Sequence, residues 1–168
     1  MTKKGMTLIE MLIAILLTAI LMGSVMFSLG PGFRAYVSGK NRTDVLQSGD
    51  IAMQLMQRYL SLARTFTAAS ATSVSFTADV NNDTVAETVV LDISGNNLRR
   101  QVSGGSQVTI TPYAQTLTLS YLDSAGAVIP VPVAGGSLAS IRVVRVVLAL
   151  ARTNETATLS TAAYCRNM

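Results

Sequence analysis

Between Lys4 and Gly30 the chain carries one charged side chain. The run Met6–Leu29, MTLIEMLIAILLTAILMGSVMFSL, is otherwise apolar apart from a few hydroxyls, and the exception is Glu10. A hydrocarbon core about 30 Å thick is crossed by roughly 20 apolar helical residues, so the run is long enough to span it. A lone carboxylate within such a run costs about 2.5–3.5 kcal/mol on insertion scales. Water near the membrane surface lessens that cost, but Glu10 still needs a reason. A secretory signal peptide fits poorly, because it needs a shorter apolar region followed by a small-residue cleavage site. Here the run is longer and the small residue, Gly5, precedes it. A plain single-span anchor fits better. In that reading Thr7 and Glu10 form a capping box, Thr-x-x-Glu, that satisfies the first free amides of the helix.

A third reading is a resemblance. The stretch KKGMTLIEMLIAI, residues 3–15, is similar to the class III leader and helix start of type IV pilins and pseudopilins. The resemblance implies that a membrane peptidase cuts after Gly5 and that the new amine, on Met6, is methylated. Glu10 is then the fifth residue of the mature chain. The family most often places Phe first, where this chain has Met6. In a filament the helices of many subunits lie side by side, and the resemblance gives Glu10 a partner in the N-terminal amine of a neighbour. Such pairing offsets the desolvation of both charges and would set the axial register. The capping box before assembly and the amine pair after it are compatible.

Composition narrows the chemistry. The chain has 168 residues, enough for one domain with a real core. Its formal charge is +4, and loss of Lys3 and Lys4 with the leader would leave +2. The remaining cations are scattered apart from Arg99-Arg100, and Trp is absent. No basic stripe with interleaved aromatics exists, so no direct nucleic-acid partner is expected. There is no His, which removes His-based triads, His general bases and most metal sites. Cys165 is the one cysteine, so no internal disulfide forms. It sits in an alternating apolar segment and reads first as a small buried residue, with an intermolecular bridge as the alternative.

Charge alone leaves orientation open. Lys3 and Lys4 favour a cytoplasmic N-terminus, whereas Arg34, Lys40 and Arg42 pull the other way. The family resemblance places the leader inside and the body outside.

After the span, Gly30-Pro31-Gly32 removes a helical hydrogen bond and adds weak helix formers. A kink or break acting as a hinge, and a simple end to the membrane helix with a separate helix beyond it, are both open here. From Thr43 to Phe66 the pattern is helical, with Leu46, Met53 and Leu60 every seven residues and Val45, Ala52, Met56, Tyr59 and Ala63 beside them. This amphipathic helix needs a sheet or a partner over its apolar side.

From about residue 72 the period becomes two. Val74, Phe76 and Ala78 alternate with polar residues, and so do Val89, Leu91 and Ile93, then Leu117, Leu119 and Tyr121. Gly95-Asn96-Asn97 and Gly104-Gly105 are turns, so antiparallel pairing follows. Ser124–Gly136 reads as a surface loop with room for a short edge strand. Ser137–Arg152 is the strongest strand, with Val144, Val146, Leu148 and Leu150 on one face and Arg145 on the other. Ala157–Cys165 closes the sheet.

One stretch invites a ligand. Asp79, Asn81, Asp83 and Glu87 place oxygen donors in a short loop, resembling the start of a calcium-binding EF-hand loop. The match then fails: Thr84 stands where glycine is needed, Val90 where the bidentate Glu is needed, and no helix leads in. A polar hairpin tip explains the same residues. Calcium at this loop is the lesser reading, and no cofactor is expected.

The expected fold is therefore α+β: a long N-terminal helix packed on an antiparallel sheet of about six to seven strands. The expected divisions are a cleaved leader, 1–5; a transmembrane helix, 6–29; a hinge or linker, 30–42; and a periplasmic domain, 43–168, with its helix at 43–66 and its sheet at 72–168. The helix-then-strands order, the hairpin DVNNDTVAETVVLDISGNNLRR, the long Ile141–Arg152 strand and the closing Arg166-Asn167 resemble PilW-type minor pilins and J-type pseudopilins. That resemblance implies a non-enzymatic structural subunit, anchored in the inner membrane and then assembled into a type IV pilus or its tip. The alternative is the short pseudopilus of a type II secretion system. Implied partners are other pilins or pseudopilins, the prepilin peptidase, an inner-membrane assembly platform and lipid. A membrane-anchored periplasmic enzyme or ligand sensor is the reading from a different class.

Overall fold

The computed structural model describes residues 6–165. They form two compact units, one up to Lys40 and one from Asn41 onward. A single helix, α1 (Leu8–Ser61), contributes to both.

In the first unit every described residue is exposed. Leu8, Ile9, Leu12, Ile15, Leu16, Ile20, Leu21 and Phe27 are all at least 60 % exposed, so the apolar surface circles the helix. Length and composition suit a membrane crossing. Helical hydrogen bonding continues past Gly30-Pro31-Gly32, with Pro31 inside α1. The break or end expected there does not occur. Proline removes its own N–H bond and crowds the preceding turn, but the turns on either side carry the helix through.

The second unit holds the core. The buried stripe of α1 is Val45, Gly49, Ala52, Met53, Met56 and Leu60, a spacing of three and four residues that keeps one face inward. Leu46 lies off that stripe and is 43 % exposed; the seven-residue spacing overstated its burial. The helix ends at Ser61 rather than Phe66. Ala63–Ala69 is instead a strand, β1.

Eight further strands follow β1 among the described residues: β2 (Ser73–Ala78), β3 (Glu87–Ser94), β4 (Asn97–Val102), β5 (Val108–Thr111), β6 (Ala114–Leu122), β7 (Val128–Ile129), β8 (Val143–Arg152) and β9 (Glu155–Tyr164). They make two sheets, not one. The first is a five-stranded meander, β1-β2-β3-β4-β5, and the second is four-stranded in the order β7-β6-β8-β9. All pairings are antiparallel. The architecture is thus α+β, with the sheet region beginning at Ala63 rather than at residue 72. Ser137–Ser140, expected as the start of the strong strand, belong instead to a 3-10 helix, Gly135–Ser140, ahead of β8.

One hydrophobic cluster joins the helix to both sheets. It takes Met56 and Leu60 from α1, Phe66 and Phe76 from β1 and β2, Leu91 from β3, Leu119 and Tyr121 from β6, and Val146 and Leu148 from β8. Phe66 meets Phe76 and Tyr121 edge-on, with ring centroids 5.8 and 6.4 Å away, a geometry that aromatic quadrupoles favour. The hydroxyl of Tyr121 donates to the Ser70 carbonyl at 2.8 Å, and the Leu119 N–H donates to the Ala71 carbonyl at 2.8 Å. These bonds tie β6 to the β1–β2 turn. Burial pushes the Tyr121 phenol well above the usual tyrosine range.

Candidate functional site: the start of the helix

The helix begins at Leu8, so Thr7 is its N-cap and Glu10 its third residue. The Thr7 N–H donates to Glu10 Oε2 at 2.8 Å, and the Thr7 hydroxyl donates to the same oxygen at 2.9 Å. In return the Glu10 N–H donates to Thr7 Oγ1 at 3.4 Å. This is the reciprocal capping box that the Thr-x-x-Glu spacing predicts. The Met11 N–H donates to the Thr7 carbonyl at 3.2 Å, closing the first turn. Met6, one residue before the cap, is 68 % exposed. Gly5, the expected cleavage residue, lies outside the described residues, as do Lys3, Lys4 and the closing Arg166-Asn167.

The arrangement explains how an anionic residue is held in the first turn of an apolar helix. One carboxylate oxygen takes two local donors, and the charge sits where the helix dipole favours it. Both donors come from Thr7, a single residue at the helix mouth, so the carboxylate is open to exchange them for a stronger cationic donor.

The acidic loop has a different organisation. Asp79 Oδ1 accepts from the Asp83 N–H at 3.2 Å and its Oδ2 from the Thr84 N–H at 3.0 Å. Asn81 Oδ1 accepts from the Asp83 N–H at 3.0 Å, and Asp83 Oδ1 from the Val85 N–H at 2.8 Å. Glu87 Oε2 accepts from the Val80 N–H at 3.1 Å, and Arg64 approaches Asp79 at 3.4 Å. Each side chain therefore folds back on the loop's own backbone, the usual behaviour of Asp and Asn in turns. Asn82 and Thr84 sit at positive φ, 63° and 74°. Among the described residues no group of three or more His, Cys, Asp or Glu side chains is placed to hold a metal ion.

Cys165 is buried and free, and burial raises its thiol to about 11 despite the nearby Arg142 charge. The ion pairs of the domain brace elements and build no site. Arg99 grips Asp92 with two bonds of 2.6 and 3.1 Å across β3 and β4. Arg152 bonds Asp44 and lies over the Tyr113 ring at 5.1 Å. Arg100 bonds the Tyr59 hydroxyl and lies over that ring at 5.1 Å. None of these contacts was read from the sequence: Arg152 and Asp44 are 108 residues apart and Arg100 and Tyr59 are 41 apart, and the Arg99–Asp92 pair depends on the register of the β3–β4 hairpin.

Residues 1–26 match the family described as the prokaryotic N-terminal methylation motif. The chain is type IV pilin-like. The match covers the leader, the capping box and most of the apolar run, and the α+β domain that follows agrees with a pilin fold. A leader of this kind implies processing by prepilin peptidase and assembly with other pilins, and together with the apolar helix it supports anchoring in a membrane. No curated protein and no solved structure matches it.

Proposed function

We propose that this pilin-like chain is a minor structural subunit, cut after Gly5, N-methylated on Met6 and assembled into a type IV pilus or its initiating tip complex. The observation that carries the reading is the first unit of α1. It exposes apolar side chains on all sides, and a surface of that kind must be covered by lipid or by neighbouring helices. The same segment bears the methylation motif. Storage in the inner membrane and later extraction into a bundle of like helices supply both kinds of cover.

In this reading the leader stays on the cytoplasmic side and the sheet domain faces the periplasm. Glu10 holds Thr7 while the subunit is stored. On assembly it exchanges those bonds for the Met6 amine of a neighbour, a charge-assisted contact roughly twice as strong as a neutral one. The work is assembly and contact, without catalysis and without a cofactor. The loop Asp79–Glu87 serves as a self-bonded hairpin tip.

A clean deletion in the native host tests this, with surface pili and the secreted proteome scored on the same cultures. Loss of pili with normal secretion supports the minor-pilin reading. Normal pili with folded exoproteins trapped in the periplasm would reassign the chain to a J-type pseudopilin. If neither changes, the filament reading gives way to a membrane-anchored ligand-binding protein.

A further inference from the structure

The four sheet edges are unequal. An open edge is a template for pairing with another chain, and proteins blunt edges with bulges, short strands, proline or charge. β1 carries two register shifts, and its Ala69 carbonyl accepts from the Val133 N–H of a loop at 2.9 Å. β5 has four residues, and β7 has two, followed by Pro130 and Pro132. β9 has no bulge and no proline, and its one charged residue, Glu155, stands at its first position. It pairs with β8 over ten residues without a register shift, and no charged residue or proline occurs from Thr156 to Tyr164.

The direction of its free groups follows from the ladder. The Cys165 N–H donates across to the Arg142 carbonyl at 2.9 Å. Backbone direction alternates along a strand, so the odd-numbered residues address β8. Thr156, Thr158, Ser160, Ala162 and Tyr164 then turn their N–H and C=O groups to the open edge. Among the described residues none of these groups has a hydrogen-bond partner. The side chains of all five are exposed, and four of them are small, which leaves room for a strand at about 4.8 Å.

A groove of about 350 Å³ runs beside this edge, lined by Gln54, Gln57, Arg58, Ser61, Ala162 and Tyr164. Arg58 has no ion-pair partner among the described residues. A second groove joins Val45 and Leu46 to Glu155–Leu159. The helix and β9 therefore run in the same direction. Two copies paired antiparallel through β9 would place their helices antiparallel, with the ends that join the membrane span at opposite ends of the joined sheet. In the filament reading helices stored in one membrane run in one direction, so two copies would meet only through a parallel ladder, the less stable of the two kinds. The more stable antiparallel ladder asks for an occupant whose strand runs against its own helix.

We infer that the open edge of β9 receives one extended strand from the globular domain of a different pilin-like subunit, with an acidic side chain of that strand meeting Arg58. The inference rests on the filament reading above.

Photo-crosslinking of the full chain in its native host tests it. p-Benzoylphenylalanine replaces Ser160 at the edge and, in a separate strain, Ile13 in the span. Adducts are identified by mass spectrometry. The expected result is an adduct from position 160 to a different protein that carries a class III leader. That adduct is lost in Thr158→Pro, because proline removes an N–H that only the partner uses. Arg58→Glu, on an exposed turn, is the second variant should Thr158→Pro fail to fold, and it too loses the adduct. An adduct to a second copy overturns the inference, and so does an adduct that survives both variants. Leader-bearing adducts from position 13 with none from position 160 overturn it while the filament reading stands. The absence of leader-bearing adducts from both positions removes both.

Discussion

Single residues divide into those whose role was legible in the sequence and those whose role depends on distant partners. Thr7 and Glu10 were legible, because a capping box is written in a spacing of three residues, and the bonds of 2.8 and 2.9 Å between them are local. Asp79, Asn81, Asp83 and Glu87 were legible as a loop, but the alternation of oxygen donors does not say where they point. Five of the bonds they accept come from amides within the same loop. Cys165 was read as buried from alternation alone, and it is 7 % exposed. Its burial raises the thiol from 9.0 to about 11, so the folded state holds the thiol proton more tightly than the unfolded state. Stability should be level with pH below about 9 and fall as pH rises from 9 toward 11. Alkylation of the folded chain by iodoacetamide should rise steeply over the same window. Thiol reactivity at pH 8 equal to that of the denatured chain would contradict this.

At the scale of elements, the main departure from the sequence reading is the end of α1. Ala63–Ala69 buries every third residue, Ala63, Phe66 and Ala69. That spacing mimics a helix, and the cause is a pair of register shifts, Ala63/Thr65 and Phe66/Ala68, which insert extra residues into the strand. Period-based reading has no means of telling a bulged strand from a helical turn, so Phe66 was assigned to the wrong element although it does belong to the core. β8, and β6 beyond its shift at Ala114/Thr116, alternate cleanly, and that alternation was read correctly, although β8 begins at Val143 rather than Ser137.

The helix approaches the sheet closely at Gly49. A Cβ built there would stand 2.5 Å from Leu159 Cδ1 and 2.9 Å from Leu150 Cδ1. Glycine costs helix propensity, and here the close approach of helix and sheet offsets it. Gly49→Val should destabilise the domain by about 1–3 kcal/mol through overpacking, with Gly49→Ala less harmful because helix propensity returns about 1 kcal/mol. Urea unfolding of the full chain in micelles, followed by far-UV circular dichroism, measures both. A Gly49→Val midpoint equal to or above the parent value would show that the contact is loose.

The whole molecule joins two surfaces of opposite character. The unit up to Lys40 exposes apolar side chains on every side, and the unit from Asn41 onward buries its own and forms one core. A chain with the first surface alone would aggregate, and one with the second alone would have no place in a membrane or a helical bundle. The two together suit a subunit stored in lipid and then assembled, and the motif in residues 1–26 supplies the processing step between those states. That division was plain from the sequence because it is compositional. The split into two sheets was not, since it depends on which strands meet across the core. The measurement that tests the account most directly is the intact mass of the chain purified from its native host. The account predicts a protein that begins at Met6 and carries one added methyl group on its amine. A chain that retains Lys3-Lys4-Gly5, or that is cut within the apolar run, would contradict it.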